Sequence, residues 1–161
     1  MVIVCLISSA MLLLGRQSRA AADKLFGNMT YLTSCPYIAK QVTLVNGYRV
    51  VWNSHLHVSL SYERRYVYGD WNQDGLKEAA VIIGESQGGS DDERWLAFLI
   101  HDGTRLVHRQ SAYLGDSAII KSVKAHGDRV VVDMFIHQEG DCQAGPTKRV
   151  KQVYAYGRPD A

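Results

Sequence analysis

The chain is short of the features that mark several protein classes. Its 161 residues include only 3 prolines and 3 cysteines, which sets aside proline-rich linkers, collagen-like repeats and disulfide-dense mini-domains. No apolar run reaches the roughly 20 residues that a membrane-spanning helix needs. Neither charge sign dominates. Against 16 Asp+Glu stand 18 Lys+Arg, of which Arg16 and Arg19 precede Asp23, so that beyond this point basic and acidic residues balance. A balanced domain has no bulk attraction for polyanions, and nucleic-acid binding is not expected. G-x-S-x-G, H-E-x-x-H and Walker A motifs are all missing. Gly88-Gly89-Ser90 follows a strand pattern, but no Lys-Ser/Thr helix start comes after it, so no phosphate cradle of that kind is expected. Self-similarity at a period of roughly 20–50 residues is absent too, which excludes solenoids and propellers.

What is present begins with an apolar leader. Val2 to Leu14 is interrupted only by Ser8 and Ser9, and Ala20-Ala21-Ala22 places small residues before Asp23. A short apolar run followed by small residues is the pattern of a cleaved export signal. Residues 1–22 are therefore expected to be a signal peptide, and 23–161 a single β-rich exported domain, periplasmic or secreted. The mature chain should have no stable transmembrane helix. No Lys or Arg precedes the run, so the competing reading is a retained anchor with Arg16 and Arg19 as its cytoplasmic flank. Cys5 stands within the apolar run rather than after it, unlike a lipid-bearing cysteine. Cys35 and Cys142 remain, and an oxidising compartment permits a disulfide between them or leaves two free thiols.

The rest of the chain reads as strands. After a short segment from Asp23 to Ser34, where a turn or two of helix is possible, Val42–Val45 and Tyr48–Trp52 flank Asn46-Gly47, a strong hairpin signal. His55 to Tyr62 alternates, with Leu56, Val58 and Leu60 on one face. Arg65–Gly69 makes a further short strand. EAAVII (78–83) and WLAFLI (95–100) read as buried strands joined by the polar loop Gly84–Arg94. Arg105–Leu114, Ala118–Ala125, Arg129–His137 and Arg149–Tyr156 complete the set. The fold class expected is mainly β, with about eight short, mostly antiparallel strands in one domain. A curved sheet, a sandwich and a small barrel all fit the pattern.

One motif carries specific chemistry. In GDWNQDGLKE (69–78), oxygen-bearing side chains fall at loop positions 1, 3, 5 and 9 as Asp70, Asn72, Asp74 and Glu78. Ca²⁺ takes about six to eight hard oxygen ligands, and alternate residues of a tight loop can aim theirs at one point. Gly75 permits the reversal this requires, and Leu76 at position 7 would offer its carbonyl. The metal set is therefore Asp70, Asn72, Asp74, Leu76 and Glu78, holding one structural Ca²⁺. Val81 stands where an EF-hand has its bidentate Glu, and a strand follows rather than a helix. An acidic turn without an ion is the plain alternative.

The stretch GDWNQDGLKEAAVIIG resembles the calcium loops of FG-GAP and integrin-type repeats, in which D-x-[DN]-x-D-G-x-x-[DE] links two strands. More broadly, VTLVNGYRV, GDWNQDGLKEAAVII, LGDSAIIKSV, DRVVVDMFIHQEGD and GPTKRVKQVYAY occur in the order that resembles an uncharacterised family of small exported bacterial proteins, many of them lipoproteins. The resemblance implies export and a single calcium loop, and brings no known activity. This chain departs from it in having no lipobox and in having Ala144-Gly145-Pro146-Thr147 where a cysteine would precede the proline.

Other constellations are thinner. His55 and His57 share a strand face and could ligate Zn²⁺ or Cu²⁺, but no third ligand is near in sequence. His137, Glu139, Asp141 and Cys142 crowd one loop without a standard zinc spacing. Asp133, between apolar neighbours, is either a half-buried acid with a raised pKa or a carboxylate bonded to an arginine such as Arg129 or Arg149. Trp52, Trp71 and Trp95 with the 9 tyrosines serve a core or a binding face. The expected role is a non-enzymatic binding or envelope-associated module whose partner is an unidentified protein or cell-envelope ligand. The alternatives are a metal-dependent hydrolase using the acidic loop with Asp133 or His137, and a secreted inhibitor presenting Gly84–Arg94 to a cell-wall enzyme.

Overall fold

A computed structural model of the chain describes residues 19–52, 56–88, 92–142 and 145–158. The fold is mainly β, built around β5 (Glu78–Ser86), whose first eight residues are all buried. Ala79, Val81 and Ile83 enter one core cluster while Ala80 and Ile82 enter another. A strand covered on both faces reads as a continuous apolar run rather than an alternation, which is why EAAVII looks as it does.

β5 is the middle of an antiparallel five-stranded sheet in chain order. Its neighbours are β3 (Tyr48–Trp52) and β4 (His57–Gly69) on one side, and β6 (Glu93–His101) and β7 (Leu106–Asp116) on the other. One face is covered by a short helix α1 over residues 19–26 and by a two-stranded sheet of β1 (Thr30–Leu32) and β2 (Gln41–Thr43). There Phe26, Tyr31, Val42 and Leu44 pack on Val58, Leu60 and Val81. The opposite face carries the three-stranded sheet of β8 (Ile119–His126), β9 (Arg129–Ile136) and β10 (Lys148–Ala155). Val130, Val132 and Met134 of β9 meet Ala80, Ile82, Leu96 and Phe98. Each fully buried Leu, Ile or Phe contributes about 1.5–3 kcal/mol to holding the three layers together. Among the described residues, no helix is long and apolar enough to cross a membrane.

The structure refines the sequence reading at several places. Asn46 and Gly47 have φ of 54° and 90°, as a two-residue hairpin turn requires, and Val45 bridges Tyr48. Beyond that bridge the expected hairpin does not continue: β2 pairs with β1, and β3 pairs with β4. The turn is tied to the end of α1, with Gly47 N–H donating to Gly27 O at 2.7 Å and Asn46 N–H to Asn28 Oδ1 at 3.1 Å. A Cβ on Gly27 would lie 2.8 Å from Asp23 O and 3.0 Å from Gly47 N, so this close approach needs glycine. Val42 and Leu44 then turn into the core rather than along β3.

His55–Tyr62 and Arg65–Gly69 are also not separate strands, since β4 runs through both for 13 residues. Its register advances from Tyr62 opposite Ile83 to Tyr66 opposite Val81. Two extra residues are thereby accommodated in a bulge, with Arg64 at φ 54°. The loop placed at Gly84–Arg94 is shorter than expected, because Gly84–Ser86 and Glu93–Arg94 belong to the ladder. Helix α1 begins before Asp23, and Ala22 is buried against the core.

Candidate functional site

The acidic loop connects β4 to β5, at the edge of the Trp71–Phe98 contact, where the rings sit 6.1 Å apart nearly perpendicular. Its shape follows from side chains capping their own backbone. Asp70 accepts from Asp74 N–H at 3.0 Å through Oδ1 and from Gly75 N–H at 2.9 Å through Oδ2. Asn72 Oδ1 accepts from Asp74 N–H at 3.1 Å, and Asp74 Oδ1 from Leu76 N–H at 2.8 Å. Gln73 and Gly75 take left-handed φ of 61° and 84°. The Asn72 amide donates to Asp74 Oδ2 at 2.8 Å, so Asp70, Asn72 and Asp74 are gathered on one loop. The Leu76 side chain is exposed.

Glu78 is placed differently. Its carboxylate is wholly buried beneath the loop. Oε2 accepts from Trp71 N–H at 2.8 Å and Asn72 N–H at 3.3 Å, and Oε1 from His101 N–H at 3.2 Å. One side chain thus fastens the start of the loop to the end of β6. Among the described residues no three His, Cys, Asp or Glu side chains converge as a metal cluster. What the loop offers is two carboxylates and an amide, with Glu78 set apart inside. Neither Asp70 nor Asp74 has an ion pair among the described residues, and Lys77 turns away to lie 4.0 Å over the Tyr68 ring. Two carboxylates and an amide with no imidazole or thiolate are a hard-oxygen set, which fits Ca²⁺ and not Zn²⁺.

The remaining sequence candidates are structural in their surroundings. Asp133 receives a two-point contact from Arg149, Nε at 2.9 Å and Nη2 at 2.8 Å. That guanidinium holds its carboxyl below the usual range, the opposite of the raised value a general acid would need. Asp141 accepts from Gln138 N–H at 3.0 Å, Thr147 N–H at 2.9 Å and the Thr147 hydroxyl at 2.6 Å. It closes its own loop and is held low by Thr147; His137 lies 3.9 Å away. His57 stacks on Trp52 at 5.0 Å, and His55 lies outside the described residues. Cys35 is buried, Cys142 is exposed, and the two are unjoined.

Sequence reasoning missed a second polar cluster. Leu32, Thr33, Ser34, Glu85, Trp95 and His108 line part of a cavity of about 290 Å³. Glu85 is buried and accepts from Ser34 N–H at 3.1 Å, the Ser34 hydroxyl at 2.9 Å and Cys35 N–H at 3.0 Å. Directly across the ladder stands Glu93, pushed up by burial and, in smaller part, by the Glu85 charge. His108 Nδ1 accepts from Leu32 N–H at 2.8 Å. The ring proton therefore sits on Nε2, 3.0 Å from both Gln110 O and Ser111 Oγ. In that tautomer Nε2–H donates to Gln110 O, with Ser111 Oγ sharing it, and the imidazole cannot take the Ser111 proton, so the pair is not an activated nucleophile. The donors to Glu85 and His108 lie 50 or more residues away in the chain, and no local pattern announces them.

Burial lowers the His108 pKa from 6.5 to about 4. A depressed value means that the fold favours neutral imidazole. Its contribution is complete above about pH 6.5 and is lost as pH falls toward 4, amounting to about 2 kcal/mol by pH 4.5. The expected result is that urea unfolding between pH 7 and 4.5 loses about 2 kcal/mol more in the wild type than in His108→Gln. Equal losses in both would show that another group governs acid stability.

Comparison of the chain with protein-family models, with curated proteins and with solved structures finds no match.

Proposed function

We propose that the chain is an exported, non-enzymatic β domain that binds one structural Ca²⁺ in the loop joining β4 to β5. It serves as a binding or envelope-associated module for a protein or cell-envelope ligand. Asp70, Asn72 and Asp74 supply side-chain oxygens and Leu76 its carbonyl. Glu78 holds the loop in place from beneath through the Trp71 and Asn72 amides. The supporting observation is the convergence of Asp70, Asn72 and Asp74 on a left-handed turn at Gly75 with no cation paired to either carboxylate among the described residues. Two neighbouring anions in this setting repel until a cation joins them. Export rests on the apolar leader followed by Ala20-Ala21-Ala22 and on the resemblance to small exported proteins.

An ion bound only by the folded state raises stability by linkage, about 2.7 kcal/mol when present at a hundredfold its dissociation constant. For a domain of this size that is a rise of several degrees in melting temperature. Asp70→Ala combined with Asp74→Ala should abolish the Ca²⁺-dependent rise. Because it also removes the acceptors for the Asp74, Gly75 and Leu76 amides, its melting temperature in EDTA falls too, and the rise is read against each protein's own EDTA value. A rise that persists in the double variant would place the ion elsewhere.

A further inference from the structure

Two β-bulges face each other where the central sheet meets the three-stranded sheet. In β4 the extra residues lie between Tyr62 and Tyr66. In β8 the register slips between Ile120 and Ser122, leaving Lys121 as the additional residue. Arg65 Nη1 donates to Lys121 O at 3.2 Å, which joins the two bulges. Between them is a cavity of about 400 Å³ lined by Arg19, Arg64, Arg65, Tyr66, Lys121 and Ser122. Four of its lining residues are cationic and none is acidic; of these, Lys121 offers Arg65 its carbonyl and lays its ammonium 5.2 Å over the Phe135 ring. Among the described residues, none of these four cations forms an ion pair, in contrast to Arg94 and Arg149, each of which holds a carboxylate.

The backbone adds a second observation. Arg64 sits at φ 54°, a left-handed conformation that disfavours any residue with a Cβ and that glycine adopts freely. Bulges re-aim side chains, and strain retained at a polar residue points to use of that side chain. Cations gathered without counter-charge are best satisfied by an oxyanion, since guanidinium forks pair with phosphate oxygens in two-point contacts.

We propose that the cavity between the bulges of β4 and β8 is a phosphate-group site, with Arg64 and Arg65 as its ligands. Arg19 joins them wherever the leader remains attached. The phosphate belongs either to a soluble phosphorylated compound or to an anionic lipid headgroup. The site is separate from the acidic loop and does not depend on Ca²⁺.

The test uses the full chain in EDTA, so that no loop-bound ion contributes. Phosphorus NMR of inorganic phosphate and co-sedimentation with phosphatidylglycerol against phosphatidylcholine vesicles are run in parallel. The variants are Arg64→Gly, Arg65→Gln and, as a charge control on the outer face of β10, Lys151→Gln. Saturable phosphate binding that weakens at least tenfold in Arg64→Gly and Arg65→Gln, but not in Lys151→Gln, supports the site with a soluble ligand. Binding confined to phosphatidylglycerol vesicles with the same variant pattern supports it with a headgroup. Arg64→Gly should at the same time melt higher than the wild type, because glycine relieves the backbone, and a purely structural arginine would not separate stability from binding in this way. No binding to either probe, or equal weakening by Lys151→Gln, overturns the proposal.

Discussion

Glu78→Ala is expected to cost about 4 kcal/mol, a large share of the roughly 5–15 kcal/mol that stabilises a domain. The variant removes the acceptor for three backbone donors at once: the buried Trp71 N–H, and the Asn72 and His101 N–H groups. A buried donor left without a partner costs about 1–3 kcal/mol, and the two partly buried ones lie toward the lower end. Water has little access, since Glu78 is 0% exposed and Trp71 3% exposed. Gly69 gives the loop no room to settle, because a Cβ there would already lie 2.3 Å from the Trp71 ring. Glu78→Gln retains one carbonyl oxygen but points an N–H₂ at another donor, so it should lose about half as much. Urea unfolding measures both, and hydrogen exchange at the Trp71 and His101 amides should accelerate in step. A loss below about 1 kcal/mol in the alanine variant would mean that these amides find other partners.

The other end of β5 repeats the device. Glu85→Ala should cost about 3 kcal/mol, because Ser34 N–H and Cys35 N–H lose their acceptor along with the Ser34 hydroxyl. The cost is reduced by an offsetting gain: Glu85 stands directly opposite Glu93, and like charges paired across a ladder are unfavourable. Two readouts separate these contributions. The buried Cys35 thiol should become open to alkylation as the segment it belongs to comes loose, and the Glu93 carboxyl should titrate lower once its neighbour is gone. Retained protection of Cys35 would show that core packing alone holds the segment.

How much of this was legible follows from where each partner lies. The buried strands at 78–83 and 95–100 were plain because runs of small and branched apolar residues have no other use in a domain this short. The alternation of Val58 and Leu60 in β4 likewise gave the correct inward face. Asn46-Gly47 formed its turn, since that depends on two residues, but the strands parted because Gly27 and Asn28 hold the turn from outside it. The bulge at Arg64 carried no signal, because a left-handed arginine is fixed by the sheets around it rather than by its own preference. Of the two arginines the sequence offers Asp133, Arg149 is the one it holds. In the candidate site, the spacing of Asp70, Asn72 and Asp74 was readable. The inward turn of Glu78 toward His101 was not, as its partner is 23 residues distant. Glu85 and His108 were invisible for the same reason.

Thermal unfolding of the protein in EDTA and then in millimolar Ca²⁺, Mg²⁺ or Zn²⁺ tests the central claim most directly. The account predicts a rise of several degrees with Ca²⁺, a smaller one with Mg²⁺, which resists losing its water, and none with Zn²⁺, for which the loop has neither imidazole nor thiolate. Identical melting in EDTA and Ca²⁺ would contradict it, leaving Asp70, Asn72 and Asp74 as a turn that holds itself together without an ion.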